Sequence, residues 1–339
     1  MILSKAAIFS VFLFFSVLIN TFASDFIEGN IKLIVNERAG SFSLYYLTDP
    51  QNMRYSPLFY SREPRSSYIS VSFDGNVHRL DRYNISRISS ERLNGWPVVT
   101  YTAPAFTVAK EFSPVTTVSS HVANGIRLSI TVQNTSNRPV PTGLRVLLDT
   151  HLGEERGNIP FVTNNRIITS ETIIEGTSSE TFWISRGNEL SLMGSIIPHD
   201  SDSKIPDIVH MANWRRLNNA QWRLRFSRDR SFSSIPYSIR DSAVCYIYEP
   251  AILEAGGSFT YTIYLTTEDI AWYGETFTYD ISAFETAERI DYDADLQLML
   301  SLQQTLNSFI AGEISLTDDD LTDIERSIER LRTRLFYSR

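Results

Sequence analysis

The chain has 339 residues, a formal net charge of −8 and a sequence pI of about 5.3. An acidic balance argues against a general nucleic-acid binder, which needs a basic face for counterion release, and leaves open only a local basic patch. Hydrophobic residues make up 42% and aromatic residues 12%, enough for a sizeable core in one large or two ordinary domains.

The first segment reads as an address. Lys5 forms a short basic region, Ala6 to Ile19 an apolar run, and Thr21-Phe22-Ala23 places small residues where a signal peptidase reads. The pattern predicts a signal peptide over residues 1–23, cleaved after Ala23, with an uncleaved amphiphilic anchor as the alternative. No cysteine stands near that point, which excludes a lipid anchor on cysteine. No later run is long enough for a membrane helix, so no transmembrane segment is expected in the mature chain. The predicted location is the periplasm or the cell exterior. Cys245 is the one cysteine, so no intramolecular disulfide can form. Its neighbours Ala243, Val244, Tyr246 and Ile247 suggest a buried structural thiol, with a reactive nucleophile as the alternative. A secreted chain held by its core alone suits a bacterial envelope.

Strand patterns then follow one another closely. Ile31 to Val35 and Phe42 to Tyr46 form a predicted hairpin with Gly40 at positive φ. Tyr68 to Phe73 turns at Asp74-Gly75-Asn76 and returns along Val77 to Leu80. Val98 to Thr102, Phe106 to Phe112 and Val115 to His121 are further strands. Asn124-Gly125 reads as a hairpin turn into Ile126 to Val132, where Ile126, Leu128, Ile130 and Val132 share one face. A turn-rich loop from Gln133 to Pro141 leads to a strand from Leu144 to Leu148. The stretch Ile126–Thr163 therefore reads as a central hairpin. Arg166 to Thr169, Thr181 to Ser185, Ser191 to Ile197, Trp222 to Phe226, Ala243 to Tyr248 and Thr260 to Thr266 complete the set, with Gly256-Gly257 in the last turn. There is no βαβ rhythm. The expected fold is mainly β: a large antiparallel β-sandwich over residues 24–283 with a C-terminal helical region over 284–339.

In that tail Leu296, Met299, Leu300, Leu302, Leu306, Phe309 and Ile310 recur at helical spacing, and Gly312 breaks the pattern. Thr317 can cap a second helix with Asp318, Asp319 and Asp320 in its first turn. Ile324, Ile328, Leu331 and Leu335 form its apolar stripe. The two helices read as a hairpin that packs on the sandwich, or docks on a partner through that stripe.

Chemistry-bearing groups cluster after the Leu144–Leu148 strand. Asp149, His151 and Glu154 could bind a metal or supply an acid and a base; the alternative is a turn-capping Asp149 in a solvated loop. No metal-ligand spacing is matched, so neither a metal nor any other cofactor is expected. His199-Asp200-Ser201-Asp202 reads as a mobile acidic loop with two carboxylates that could meet calcium. Trp214, Arg215 and Trp222 could stack on a sugar ring, with Trp96 a further platform, or simply lie at the rim of the sandwich. G-x-S-x-G, H-E-x-x-H and Walker motifs are absent.

Three pieces resemble bacterial periplasmic and surface β-sandwich proteins of the galactose-mutarotase-like or carbohydrate-binding type. They are the Ile31–Tyr46 hairpin, the strand Gly143-Leu144-Arg145-Val146-Leu147-Leu148-Asp149-Thr150-His151-Leu152-Gly153, and the turn Leu253-Glu254-Ala255-Gly256-Gly257-Ser258-Phe259-Thr260-Tyr261. The resemblance implies a β-sandwich. For the enzymes of that type it implies a catalytic His and Glu in a sugar-lined cleft, which matches no pair of residues here one by one. Without a catalytic motif the sequence favours a structural or scaffolding envelope protein, with an envelope protein as partner of the C-terminal helices. The alternative is a carbohydrate-binding module or a mutarotase-like enzyme, with a glycan as partner.

Overall fold

The computed structural model describes residues 23–60, 65–81, 87–116, 122–154, 160–187, 190–198, 200–228, 230–233, 241–267 and 292–312, with positions 315, 317, 320, 321, 324, 325, 327 and 328. The predicted signal segment before Ala23, the junction between sandwich and tail, and Leu331 and Leu335 lie outside the described residues.

Nineteen strands are described. The first four are β1 (Ala23–Glu28), β2 (Ile31–Asn36), β3 (Phe42–Asp49) and β4 (Arg54–Pro57). Next come β5 (Tyr68–Phe73), β6 (Asn76–Arg79), β7 (Arg87–Leu93), β8 (Trp96–Thr102) and β9 (Phe106–Thr116). The long strands β10 (Ala123–Asn134) and β11 (Val140–Thr150) lead to short β12 (Phe161–Thr163), β13 (Ile167–Ile168) and β14 (Thr172–Glu175). The set ends with β15 (Phe182–Arg186), β16 (Ser191–Ser195), β17 (Ile208–Asn213), β18 (Ser242–Leu253) and β19 (Ser258–Thr266). Helix α1 (Trp214–Asn219) follows β17, and α2 (Tyr292–Ile310) lies in the tail.

The strands form three antiparallel sheets. Their orders are β1-β2-β3-β4, then β13-β12-β15-β16-β19-β10-β9-β8-β7, then β14-β17-β18-β11-β5-β6. The nine- and six-stranded sheets face each other. Ile126, Leu128, Ile130 and Val132 of β10 share one core with Leu144, Val146 and Leu148 of β11. All seven are 1% exposed or less, each worth roughly 1.5–3 kcal/mol of apolar burial. Tyr248 and Tyr261 meet edge-on across the two sheets at 4.6 Å, and the Trp183 indole N–H donates to the Tyr246 hydroxyl at 2.6 Å.

The N-terminal sheet buries Ile31, Leu33, Val35 and Leu44 in the same core. Gly40 has φ +65°, as its turn requires, and a Cβ there would strike the Tyr101 hydroxyl. Beneath that turn lies Lys110 of β9. Its amine donates to the Gly40 carbonyl and to the Tyr101 hydroxyl. The rings of Phe42, Phe112 and Tyr101 surround it at 5.4, 5.5 and 5.6 Å.

Several expectations change. Strands β10 and β11 are not a hairpin: they lie in opposite sheets, and their connection crosses the edge of the sandwich. Each is apolar on one face, and the two faces bury each other only from different layers. Asn124-Gly125 is not a turn but a bulge inside β10. Glycine is needed there because a Cβ would sit 2.5 Å from the Leu265 carbonyl oxygen. The expected break between Phe112 and Val115 is absent, because Pro114 fits within the continuous strand β9. Trp222 to Phe226 forms no strand. Its side chains lie over the outer face of the six-stranded sheet, where Trp222 and Leu224 cover Leu147, Cys245 and Ile247.

In the tail, α2 ends at Ile310, and Gly312 just beyond it has φ +73°. Thr317 caps the next helical turn: its Oγ1 accepts from the Asp320 N–H at 3.2 Å, and its own N–H donates to Asp320 Oδ2 at 2.8 Å. No described helix is long and apolar enough to cross a membrane.

Candidate functional site

The residues singled out after the Leu144–Leu148 segment lie where the chain leaves the sheet and turns back. Strand β11 ends at Thr150, and a short 3-10 turn, Leu152–Glu154, folds the chain back. The turn is closed by the Glu154 N–H donating to the His151 carbonyl at 3.0 Å. It is anchored by Leu152 in the core and by the Gly153 N–H donating to Ser185 Oγ at 2.9 Å. Glu154 is thereby carried to the start of the neighbouring strand β18. There Glu154 Oε1 accepts from the Ser242 N–H at 2.7 Å and from Ser242 Oγ at 3.1 Å. Ser242 pairs with Thr150 across the sheet, and their hydroxyls lie 3.3 Å apart.

Asp149 is 5% exposed. Its N–H donates to Ser67 Oγ at 2.9 Å, its carbonyl accepts from the Tyr60 N–H at 3.2 Å, and its carboxyl is hydrogen-bonded by the Ser66 side chain. Asp241, just before β18, brings a third carboxylate close enough to act on both others. Burial, reinforced by the Asp241 charge, pushes Asp149 up to about 7. Burial first, then the charges of Asp241 and Asp149, push Glu154 up to about 9 against the Ser242 hydrogen bonds. At neutral pH Glu154 therefore holds its proton while Asp149 is close to half ionised. The two carboxyls thus differ in proton affinity, as the members of an acid–base pair must, and the Asp149 charge reaches Glu154. Among the described residues no group of three or more His, Cys, Asp or Glu side chains is arranged to hold a metal ion.

His151 is half-buried. Asp241, Ser242 and Ser66 gave no sequence signal, since each is distant along the chain and sits in no motif.

Trp214, Arg215 and Trp222 do not form a stacking platform together. Trp214 and Trp222 are half-buried and pack on Tyr68, Leu147 and Cys245, whereas Arg215 is exposed. Trp214 instead supports the carboxylate site, because its indole N–H donates to the Ser66 carbonyl at 2.9 Å. Beneath Trp222 the buried Arg145 guanidinium donates to the carbonyls of Trp222 and Leu217 at 3.0 and 2.7 Å and to the Tyr68 hydroxyl at 3.2 Å. Next to it Glu171 is enclosed by His210 at 3.1 Å, Arg216 and the Ser227 N–H. Burial, then the Arg145 charge, lowers His210 to about 4, so the imidazole is neutral. These groups clamp the 214–233 segment onto the sheet. Trp96 is 7% exposed, stacked on Phe26.

The acidic 199–202 loop is held at Asp200, whose carboxylate takes Arg127 at 2.7 Å and the Tyr264 hydroxyl at 2.7 Å. His199 lies outside the described residues. In the tail Ile324 is half-buried and Ile328 is 49% exposed.

No protein-family model matches the chain, and no curated protein sequence does. Solved structures do. One is a protein described as an aldose 1-epimerase from Escherichia coli K12, 10% identical, with a TM-score of 0.45 over 73% of this chain and 98% of that one. Another is a galactose mutarotase-like protein from Lactobacillus casei, 11% identical, with a TM-score of 0.41 over 73% of this chain and 100% of that one. A polysaccharide lyase, 11% identical, has a TM-score of 0.40 over 71% of this chain and 32% of its own. None of the three assigns a residue here.

Proposed function

We propose that the chain is a carbohydrate-active or carbohydrate-binding protein of the periplasm or cell exterior, with Asp149 and Glu154 as an acid–base pair acting on a sugar. The observation that supports this reading is the convergence of two enclosed carboxyls with different proton affinities. Interconverting the anomers of a sugar needs one group to protonate the ring oxygen while another takes the proton of the anomeric hydroxyl. Glu154 is the donor in this scheme and Asp149 the acceptor. The ring then opens to the aldehyde, and closure on its other face reverses both transfers. Ser242 aims Glu154, and Ser66 and Ser67 hold Asp149. Secretion through residues 1–23 belongs to the same proposal.

Polarimetry of freshly dissolved α-D-glucose and α-D-galactose tests it. The wild-type chain should accelerate the approach to equilibrium, and Asp149→Asn or Glu154→Gln should remove about a hundredfold or more of that acceleration. No acceleration and no calorimetric sugar binding by the wild-type chain would refute it.

A second reading, protein docking by the tail, is favoured by one observation. Leu300, Leu306, Phe309 and Ile310 of α2 are 39–81% exposed, and Leu321 and Ile328 beyond it 46% and 49%. Replacing Phe309 and Ile310 by lysine in the full chain should abolish capture of an envelope partner. Unchanged capture removes this reading.

A further inference from the structure

Strand β11 has a second end. Val140, where it begins, lies beside a cavity of about 360 Å³. Asp149 is nine residues further on, roughly 30 Å away at the strand rise, so this cavity is separate from the carboxylate pair. Phe73, Asp74, His78, Ala105, Phe106 and Arg138 are among the residues that line it, with Phe73 and Phe106 buried and Asp74 and Arg138 exposed. The Phe73 and Phe106 rings are 4.9 Å apart, and the His78 ring lies 5.3 Å from Phe106.

Its walls are tied to one another. The Thr135 N–H donates to the Ala105 carbonyl and the Asp74 N–H to the Pro141 carbonyl, both at 3.0 Å. Asn134 is fully buried, and its amide donates to the carbonyls of Arg138 and Leu253 at 2.8 and 3.0 Å. Its side-chain oxygen accepts from the Ser136 N–H and hydroxyl at 2.9 and 2.6 Å. Arg138 pairs with Asp74 across the mouth. The cavity is thus preformed, which spares a ligand the cost of ordering it.

The chemistry narrows the occupant. The mouth offers a cation and an anion that cancel, with donors and acceptors adjacent. An anionic ligand would meet Asp74, and a cationic one Arg138. A neutral ring with one C–H face and vicinal hydroxyls along its edge satisfies both parts: the C–H face lies on the aromatic floor, and the hydroxyls donate to Asp74 and accept from Arg138. We propose that this cavity binds a single neutral hexopyranose unit, a second sugar site at the opposite end of the sandwich. The proposal rests on the carbohydrate reading above.

Saturation-transfer NMR and calorimetry on the full chain, with methyl β-D-glucopyranoside and methyl β-D-galactopyranoside as probes, test it. Expected is transfer to the ring protons of at least one glycoside. Arg138→Ala, at an exposed position, should weaken binding about tenfold, and Ala105→Trp, which fills the cavity, should abolish it. The share of binding that Ala105→Trp removes should persist in Asp149→Asn. No transfer to either glycoside, binding untouched by both cavity variants, or binding of benzoate in their place would each overturn the proposal. Sugar binding lost only in Asp149→Asn would overturn it while leaving the acid–base reading standing. Glycoside binding at the cavity without accelerated anomer exchange would sink that reading and leave this one.

Discussion

Lys110 carries the most informative stability prediction. It is 2% exposed, and burial pulls its amine from 10.5 to about 7, with the Asp81 charge opposing. The folded state therefore releases the proton long before the unfolded chain does. Between those two values the unfolded state binds more protons, so stability rises with pH. From pH 7 to pH 9 the two binding curves differ by an amount equivalent to about 2 kcal/mol of added stability. Glu154 acts in the opposite sense. Its folded value is raised from 4.5 to about 9, so its contribution is fully present below 4.5 and is lost as pH climbs through the folded value. Over the same interval that loss is up to about 2 kcal/mol, less whatever solvent screens. The wild-type chain should therefore show a nearly flat stability between pH 7 and pH 9, with each variant exposing the other group. Urea unfolding should show Lys110→Met losing stability over this interval and Glu154→Gln gaining it. Parallel curves for wild type and Lys110→Met, within about 0.5 kcal/mol, would refute the assignment of a buried, easily deprotonated amine.

Other substitutions read the packing. Gly194→Ala places a Cβ 2.3 Å from the Trp183 ring. That indole is fully buried and hydrogen-bonded to Tyr246, so the overpacking should cost about 3 kcal/mol, visible as a lower urea midpoint. Arg145→Met leaves the carbonyls of Leu217 and Trp222 without their donor. It should cost about 3 kcal/mol and speed proteolytic cutting within 214–233. Asn134→Ala removes the amide that fixes the Arg138 loop. It should cost about 2 kcal/mol by thermal unfolding and weaken glycoside binding along with stability.

Most strands were legible because one face of each is apolar at period two, as in Ile126 to Val132, and because Gly40 and Gly256 punctuate them at positive φ. What strand periodicity cannot carry is layer. The same alternation lets β10 and β11 be neighbours in one sheet or partners across two, and only the tertiary fold decides. Asn124-Gly125 misled for a related reason: a glycine demanded by a close backbone approach looks the same as one demanded by a turn. The site was half legible. Asp149, His151 and Glu154 are consecutive enough to notice, but Asp241 and Ser66 reach them only through the pairing of β11 with β18 and β5. Lys110 was invisible, since a lone lysine in a strand ordinarily points to water and nothing local marks it as enclosed by three rings.

Cys245 sits at 0% exposure under the 214–233 segment, where burial raises its thiol against the pull of Arg145. A sulfur so placed meets no alkylating reagent while that segment stays seated. With a single thiol in 339 residues, the chain carries its own reporter: the rate of alkylation measures how often this flap lifts, without any engineered label.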